Sequence, residues 1–205
     1  MRHSIHDDDQ PMRPWGIVTA DFWAAGQDAA RSTEGKAAAQ AEPQHPLTAE
    51  RPAPPPPPEE YGERIAAITA AFNDPEDQAL LASAGVDAEK LDEEITARFG
   101  SAHTHTINVR ELRGWIAYLM GQSAVAARWY LHTTGLQTAA WGPDHSITQG
   151  SAQRAAHTWR SITDRTEAIA LGPELVAMLA VVTGEDSQAS QQVRARLDRM
   201  GAKRQ

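Results

Sequence analysis

The sequence predicts an all-α protein, a short array of helical hairpins forming an α-solenoid, preceded by a disordered, proline-rich N-terminal tail. Three observations carry that prediction. Apolar residues recur at helical spacing from Tyr61 onward, no window alternates long enough to read as a strand, and the chain matches itself at an offset of 42 residues.

Composition separates tail from body. Of the 13 prolines in 205 residues, ten lie before residue 60, which leaves few apolar positions at either regular period in that stretch. Residues 1–60 are therefore expected to be disordered and residues 61–201 to fold as one small α-helical domain. The run Arg51-Pro-Ala-Pro-Pro-Pro-Pro-Pro-Glu-Glu60 fixes φ at successive positions and removes backbone donors, so a stiff polyproline II spacer is expected at the boundary. Upstream, an apolar island at 14–23 holds Trp15, Phe22 and Trp23. It reads either as a docking motif that folds on a partner or back onto the helical domain, or as a chance cluster.

Charge is polarised along the chain. Residues 1–60 hold 5 Lys/Arg against 10 Asp/Glu, residues 61–100 hold 3 against 9, and residues 101–205 hold 11 against 8, for a net charge of −8. An acidic total argues against a general nucleic-acid binder, because such affinity comes from neutralising phosphates. The local exception is the C-terminal set Arg194, Arg196, Arg199, Lys203 and Arg204. Absence of cysteine excludes a disulfide scaffold, thiolate catalysis and cysteine-ligated zinc. The longest apolar run, residues 175–182, is too short to span a bilayer, and Asp7, Asp8 and Asp9 stand where a secretory signal needs basic and then apolar residues. A cytoplasmic protein without a membrane span is expected.

The helices come in order. Ile65, Ile68 and Phe72 keep helical spacing and define the first. Asn73-Asp-Pro-Glu76 places an N-cap before a proline at the first helical position, opening a short second helix that Gly85 is expected to end. Asp87 is expected to cap a third, carrying Leu91, Ile95 and Phe99, with Gly100 as its left-handed stop. The repeat then begins. Phe99-Gly-Ser-Ala-His-Thr-His-Thr106 aligns with Trp141-Gly-Pro-Asp-His-Ser-Ile-Thr148, matching aromatic, Gly, His and Thr in order. The copies cover about 99–140 and 141–182, each with a helix, a turn and a second helix. These helices are expected at 106–120 and 123–140, then at 148–162 and 165–182 with a break at Gly172-Pro173. A last helix is expected at 187–200. At the same offset Gly114 meets Ala156 and Ala126 meets Ala168, small residues of the kind that close helix approach requires.

The linker Gly142-Pro-Asp-His-Ser-Ile-Thr148, the weaker Gly100-Ser-Ala-His-Thr-His-Thr106, and Gly121, Ala126 and Tyr130 at matching family positions carry a resemblance. The chain resembles the 42-residue tetratricopeptide repeats of the kinesin-light-chain and NB-ARC-associated type, abundant in actinobacterial regulators. The resemblance covers residues 99 to about 182. Thr163, Gly172 and Arg113 depart from the family pattern, and the flanking helices are expected to serve as caps. It implies a stacked-hairpin fold that acts as a scaffold for protein or peptide binding, with the leading helix of each hairpin lining a concave groove.

Along the first leading helix, Val109, Leu112, Ile116 and Leu119 form the apolar stripe that faces neighbouring helices. Beside it run Asn108, Glu111, Trp115 and Tyr118, which the resemblance places toward the groove; 42 residues later stand Gly150, Gln153, His157 and Arg160. Aromatics, amides, a histidine and an arginine on one surface suit a peptide. An ordinary solvated flank would give the same composition.

No catalytic residue, metal site or cofactor is expected. His103 and His105 supply only half of a tetrahedral metal site. Because His103 and His145 fall at equal places in the two copies, they are expected to cap or pack against the next helix start. Asp164 and Glu167 resemble a helix-capping arrangement. Neither a Gly-x-Ser-x-Gly elbow nor a glycine-rich phosphate loop is present. The function expected is a non-enzymatic adaptor binding a protein or peptide segment, self-association included. The alternative is a transcription-related DNA-binding regulator using the basic C-terminal helix.

Overall fold

The computed structural model describes residues 57–202, which form seven α-helices and, among the described residues, no strand. The expectations for residues 1–56, with the spacer's first part and Trp15, Phe22 and Trp23, lie outside them. Helix α1 spans Glu59–Ala70 and runs into a single 3₁₀ turn, Ala71–Asn73. The others are α2 (Gln78–Phe99), α3 (Thr104–Leu119), α4 (Ser123–Trp141), α5 (Ser146–Arg160), α6 (Arg165–Thr183) and α7 (Gln188–Ala202). Each packs on the next in sequence, and α4 also packs on α6.

Three boundaries differ from expectation, each for a local reason. Gly85 does not end a helix; α2 runs through it, and Asp87, expected as a cap, lies on its exposed face within reach of Lys90. A mid-helix glycine costs only about 1 kcal/mol, and here it faces Ile116 of α3, whose Cγ2 lies 3.6 Å from a Cβ built at Gly85. The N-cap of α2 is Asp77, not the residue before Pro75: its carboxylate accepts from the Leu80 amide at 2.9 Å. Third, α6 passes unbroken through Gly172-Pro173. Pro173 lies on the exposed face, and the glycine before it has no Cβ to meet the proline ring. Gly172 itself faces α7, where a Cβ would clash with the Leu197 side chain.

The linkers behave as expected, and a third one joins them. Gly100, Gly142 and Gly184 lie 42 residues apart and share one backbone state, with φ of 93°, 92° and 93° and ψ of 161°, 165° and 149°. An L side chain is strained at such φ. Three residues after each glycine comes an N-cap side chain. His103 Nδ1 accepts from the His105 amide at 3.2 Å, His145 Nδ1 from the Ile147 amide at 3.3 Å, and Ser187 Oγ from the Ser190 amide at 3.2 Å. Phe99 stacks on His103 and Trp141 on His145, whereas Thr183 and Ser187 replace ring stacking by a hydroxyl–hydroxyl hydrogen bond of 2.8 Å. Thr106 and Ser190 hydroxyls each donate back to the linker glycine carbonyl, at 2.7 and 2.9 Å. Glu185-Asp-Ser-Gln-Ala-Ser190 has lost the aromatic and the histidine, so the sequence match at this third linker is faint.

The interior falls into two apolar clusters. One joins α1, α2 and the stripe Val109, Leu112 and Ile116 of α3; the other joins α4, α5, α6 and α7 around Trp159, Leu175 and Leu179. Helix α6, with 19 residues, is long and apolar enough to cross a membrane by length and composition, in contrast to the short run read from sequence. Its Leu171, Leu175, Leu179 and Val182 pack into the second cluster.

Candidate functional site

Between the two clusters lies a buried polar layer where α3, α4 and α5 meet. Glu111, 3 % exposed, is its centre. Its Oε1 accepts from the hydroxyls of Thr133 (2.7 Å) and Ser151 (2.5 Å) and from Gln137 Nε2 (3.2 Å), and its Oε2 accepts from Arg154 Nη2. One cation and three neutral donors together compensate the buried carboxylate. The Arg154 guanidinium also lies over the Tyr130 ring, 5.4 Å from its centroid. Tyr130 crosses α3 at Gly114, where a Cβ would come within 3.2 Å of the ring's Cζ. Burial first, and then the nearby Glu111 charge, push the Tyr130 hydroxyl above its ordinary value, so the phenol is neutral at any physiological pH.

Toward the surface the seam between α3 and α5 turns aromatic. Trp115 and Tyr118, three apart on α3, stack with centroids 5.2 Å apart, and Tyr118 Oη lies 3.0 Å from His157 Nε2 on α5. Burial, and then the charge of Arg160, lower the His157 pKa, which favours the neutral ring. Trp115, Tyr118 and His157 are half-buried and Arg160 is exposed. The result is a shelf of two aromatic rings, an imidazole and a guanidinium joining α3 and α5.

No family model, no curated protein and no solved structure matches the chain. What the site can do rests on its own geometry.

The seven residues singled out on α3 and α5 divide into two groups. Trp115, Tyr118, His157 and Arg160 come together on the shelf, and Gln153 is exposed on α5. Asn108 and Glu111 are buried, 5 % and 3 % exposed, so they lie beneath the surface. Helical spacing alone gave Glu111 the same face as Trp115, but depth depends on what the neighbouring helices present. Thr133, Gln137, Ser151 and Arg154 were missed, although the sequence holds a signal for three of them. At the 42-residue offset, Leu91/Thr133/Leu175, Ile95/Gln137/Leu179 and Val109/Ser151/Val193 are aliphatic, polar, aliphatic. Polar residues at positions that are apolar in both neighbouring copies mark a buried group needing donors.

Elsewhere the chemistry is structural. Asp164 Oδ1 accepts from the Thr166 and Glu167 amides at 2.7 and 3.0 Å, the expected cap, while Glu167 turns to Arg128 at 3.3 Å. Among the described residues no group of three or more His, Asp or Glu is placed to hold a metal ion. In the basic C-terminal helix, Arg196 donates to the Arg160 and Ile162 carbonyls and packs over Trp159, and Arg194 donates to the Glu185 carbonyl.

Proposed function

We propose that this chain is a non-enzymatic adaptor whose α3–α5 seam binds an extended or helical segment of another protein, on a stacked array of tetratricopeptide-like hairpins. The observation that carries the reading is the shelf of half-buried Trp115, Tyr118 and His157 with exposed Arg160, which joins α3 and α5 above the polar layer. Flat rings supply apolar area at low entropic cost, while imidazole and guanidinium supply directed donors. The hairpin array is supported by three linkers of one backbone state at one spacing, and by α7, whose outward Gln188, Gln191, Gln192 and Asp198 suit a terminal helix in water. A surface of this size with a few anchors binds in the micromolar range unless a second contact adds avidity.

The test is quantitative capture of partners from the native host by wild-type, Trp115→Ala and Arg160→Ala chains, with circular dichroism verifying equal helix content. Loss of a central aromatic anchor lowers affinity by about tenfold or more. Retention of every wild-type partner by both variants would discard the shelf as the binding surface.

A further inference from the structure

We infer that the basic end of the α3–α5 shelf docks the chain's own N-terminal segment, residues 7–23, an inference that rests on the shelf being a segment-binding surface. The surface has a pronounced charge character in an otherwise acidic molecule. Arg196 of α7 reaches the carbonyls of Arg160 and Ile162, which holds α7 against the turn between α5 and α6. That contact sets α7 beside Arg160 at the end of α5; Arg165 opens α6 five residues later, and Arg199 follows Arg196 by one turn on α7. Among the described residues no carboxylate lies within ion-pair distance of Arg160, Arg165 or Arg199. Arg165 Nη2 is closed off from solvent without a hydrogen-bond partner. Of the acids near these arginines in the chain, Asp164 caps α6 and Glu167 pairs with Arg128, which leaves exposed Asp198 beside Arg199 to offset them. Aromatic shelf and arginines thus form one surface that calls for an acidic, aromatic-rich ligand.

Residues 7–23 have that composition. They carry Asp7, Asp8, Asp9 and Asp21 against Arg13 alone, together with Trp15, Phe22 and Trp23. The tether is long enough. Residues 24–58 separate the segment from α1, an extended reach of roughly 110 Å, whereas α5 lies four helix-to-helix steps from α1, about 40 Å at ordinary packing distances. Tethering raises the local concentration of the segment to the millimolar range, enough to hold a weak ligand. A partner protein must displace it, so the tail sets a threshold for binding.

The absence of cysteine makes the test direct, because Ala20→Cys creates a single attachment point for a nitroxide in the full-length chain. Amide signals around His157, Arg160 and Arg196 are expected to lose most of their intensity, while those around Ala82 and Lys90 on α2 keep theirs. Arg160→Glu with Arg199→Glu, both at exposed positions, removes the attenuation, and adding Asp7→Lys, Asp8→Lys and Asp9→Lys restores it. Attenuation spread evenly over the molecule, or indifferent to charge reversal, would overturn the inference. So would the same pattern arising on isotope-labelled chains mixed with spin-labelled, unlabelled ones, which would place the segment on a second copy. If Trp115→Ala abolishes partner capture while no attenuation is seen, the adaptor reading stands and tail docking alone fails.

Discussion

Two buried carboxylates, Asp92 on α2 and Glu111 on α3, are stabilised in opposite ways. Asp92, 5 % exposed, is held by two arginines from one helix: Arg110 Nε at 3.1 Å and Arg113 Nη1 at 2.8 Å, with the Thr96 hydroxyl at 3.0 Å. Those arginines lead outward. Arg113 continues to exposed Glu89 at 2.8 Å and stacks over Trp129, and Arg110 Nη1 lies 2.9 Å from His132 Nε2. Glu111 has one arginine, and its other donors are neutral side chains on two further helices. The first arrangement is a redundant clamp at an edge; the second is an enclosed carboxylate with a single counterion. Redundancy at an edge tolerates loss, and enclosure does not.

The largest expected effect tests that contrast at Glu111. Arg154→Met leaves a buried charge without its cation and should destabilise the chain by about 3–5 kcal/mol, measured by urea unfolding followed by circular dichroism. Replacing the whole layer with apolar residues, Glu111→Leu and Arg154→Leu with Thr133→Leu, Gln137→Leu and Ser151→Val, should return stability to near the wild-type value or above it. A loss equal to that of Arg154→Met would show that the layer stabilises by more than charge compensation.

At Asp92 a smaller effect is expected. Arg113→Met leaves Arg110 in place and removes a partly exposed cation, so the cost should be about 1 kcal/mol, and a value matching Arg154→Met would erase the distinction. Smallest is the pH response. Burial and then the Arg110 charge lower the His132 pKa, so the unfolded chain takes up a proton more readily than the folded one. Stability is complete above the ordinary histidine value of 6.5 and declines as pH falls below it toward the depressed folded value. His132→Gln should flatten part of that decline in unfolding curves recorded between neutral and mildly acidic pH. Since His157 and His105 are lowered in the same direction, a residual slope is expected to survive.

What the sequence made legible were features that depend on neighbours in the chain. The apolar stripe of α3, the capping roles of His103, His145 and Asp164, and the positive-φ stop at Gly100 all came from spacing a few residues long. What it hid depends on neighbours in space. Gly85 and Gly172-Pro173 read as breaks because their intrinsic cost is visible in the chain, whereas the packing of the two glycines against α3 and α7 is not. Depth misled at Asn108 and Glu111 for a similar reason: period places a residue on a face, and only the adjoining helix decides whether that face is covered. The shelf of Trp115, Tyr118, His157 and Arg160 was legible because equal positions in successive copies fall on adjacent helices.

The three matching elbows at Gly100, Gly142 and Gly184 have a consequence for how such a chain can lengthen. Since each joint leaves the preceding helix along the same path, a cut at one glycine can be rejoined at another without redirecting the downstream helices, and whole modules can be gained or lost by recombination. The polar layer restricts that freedom. A splice that separates Glu111 on α3 from Thr133 and Gln137 on α4 or from Ser151 and Arg154 on α5 strands a charge, so α3, α4 and α5 can be moved only together.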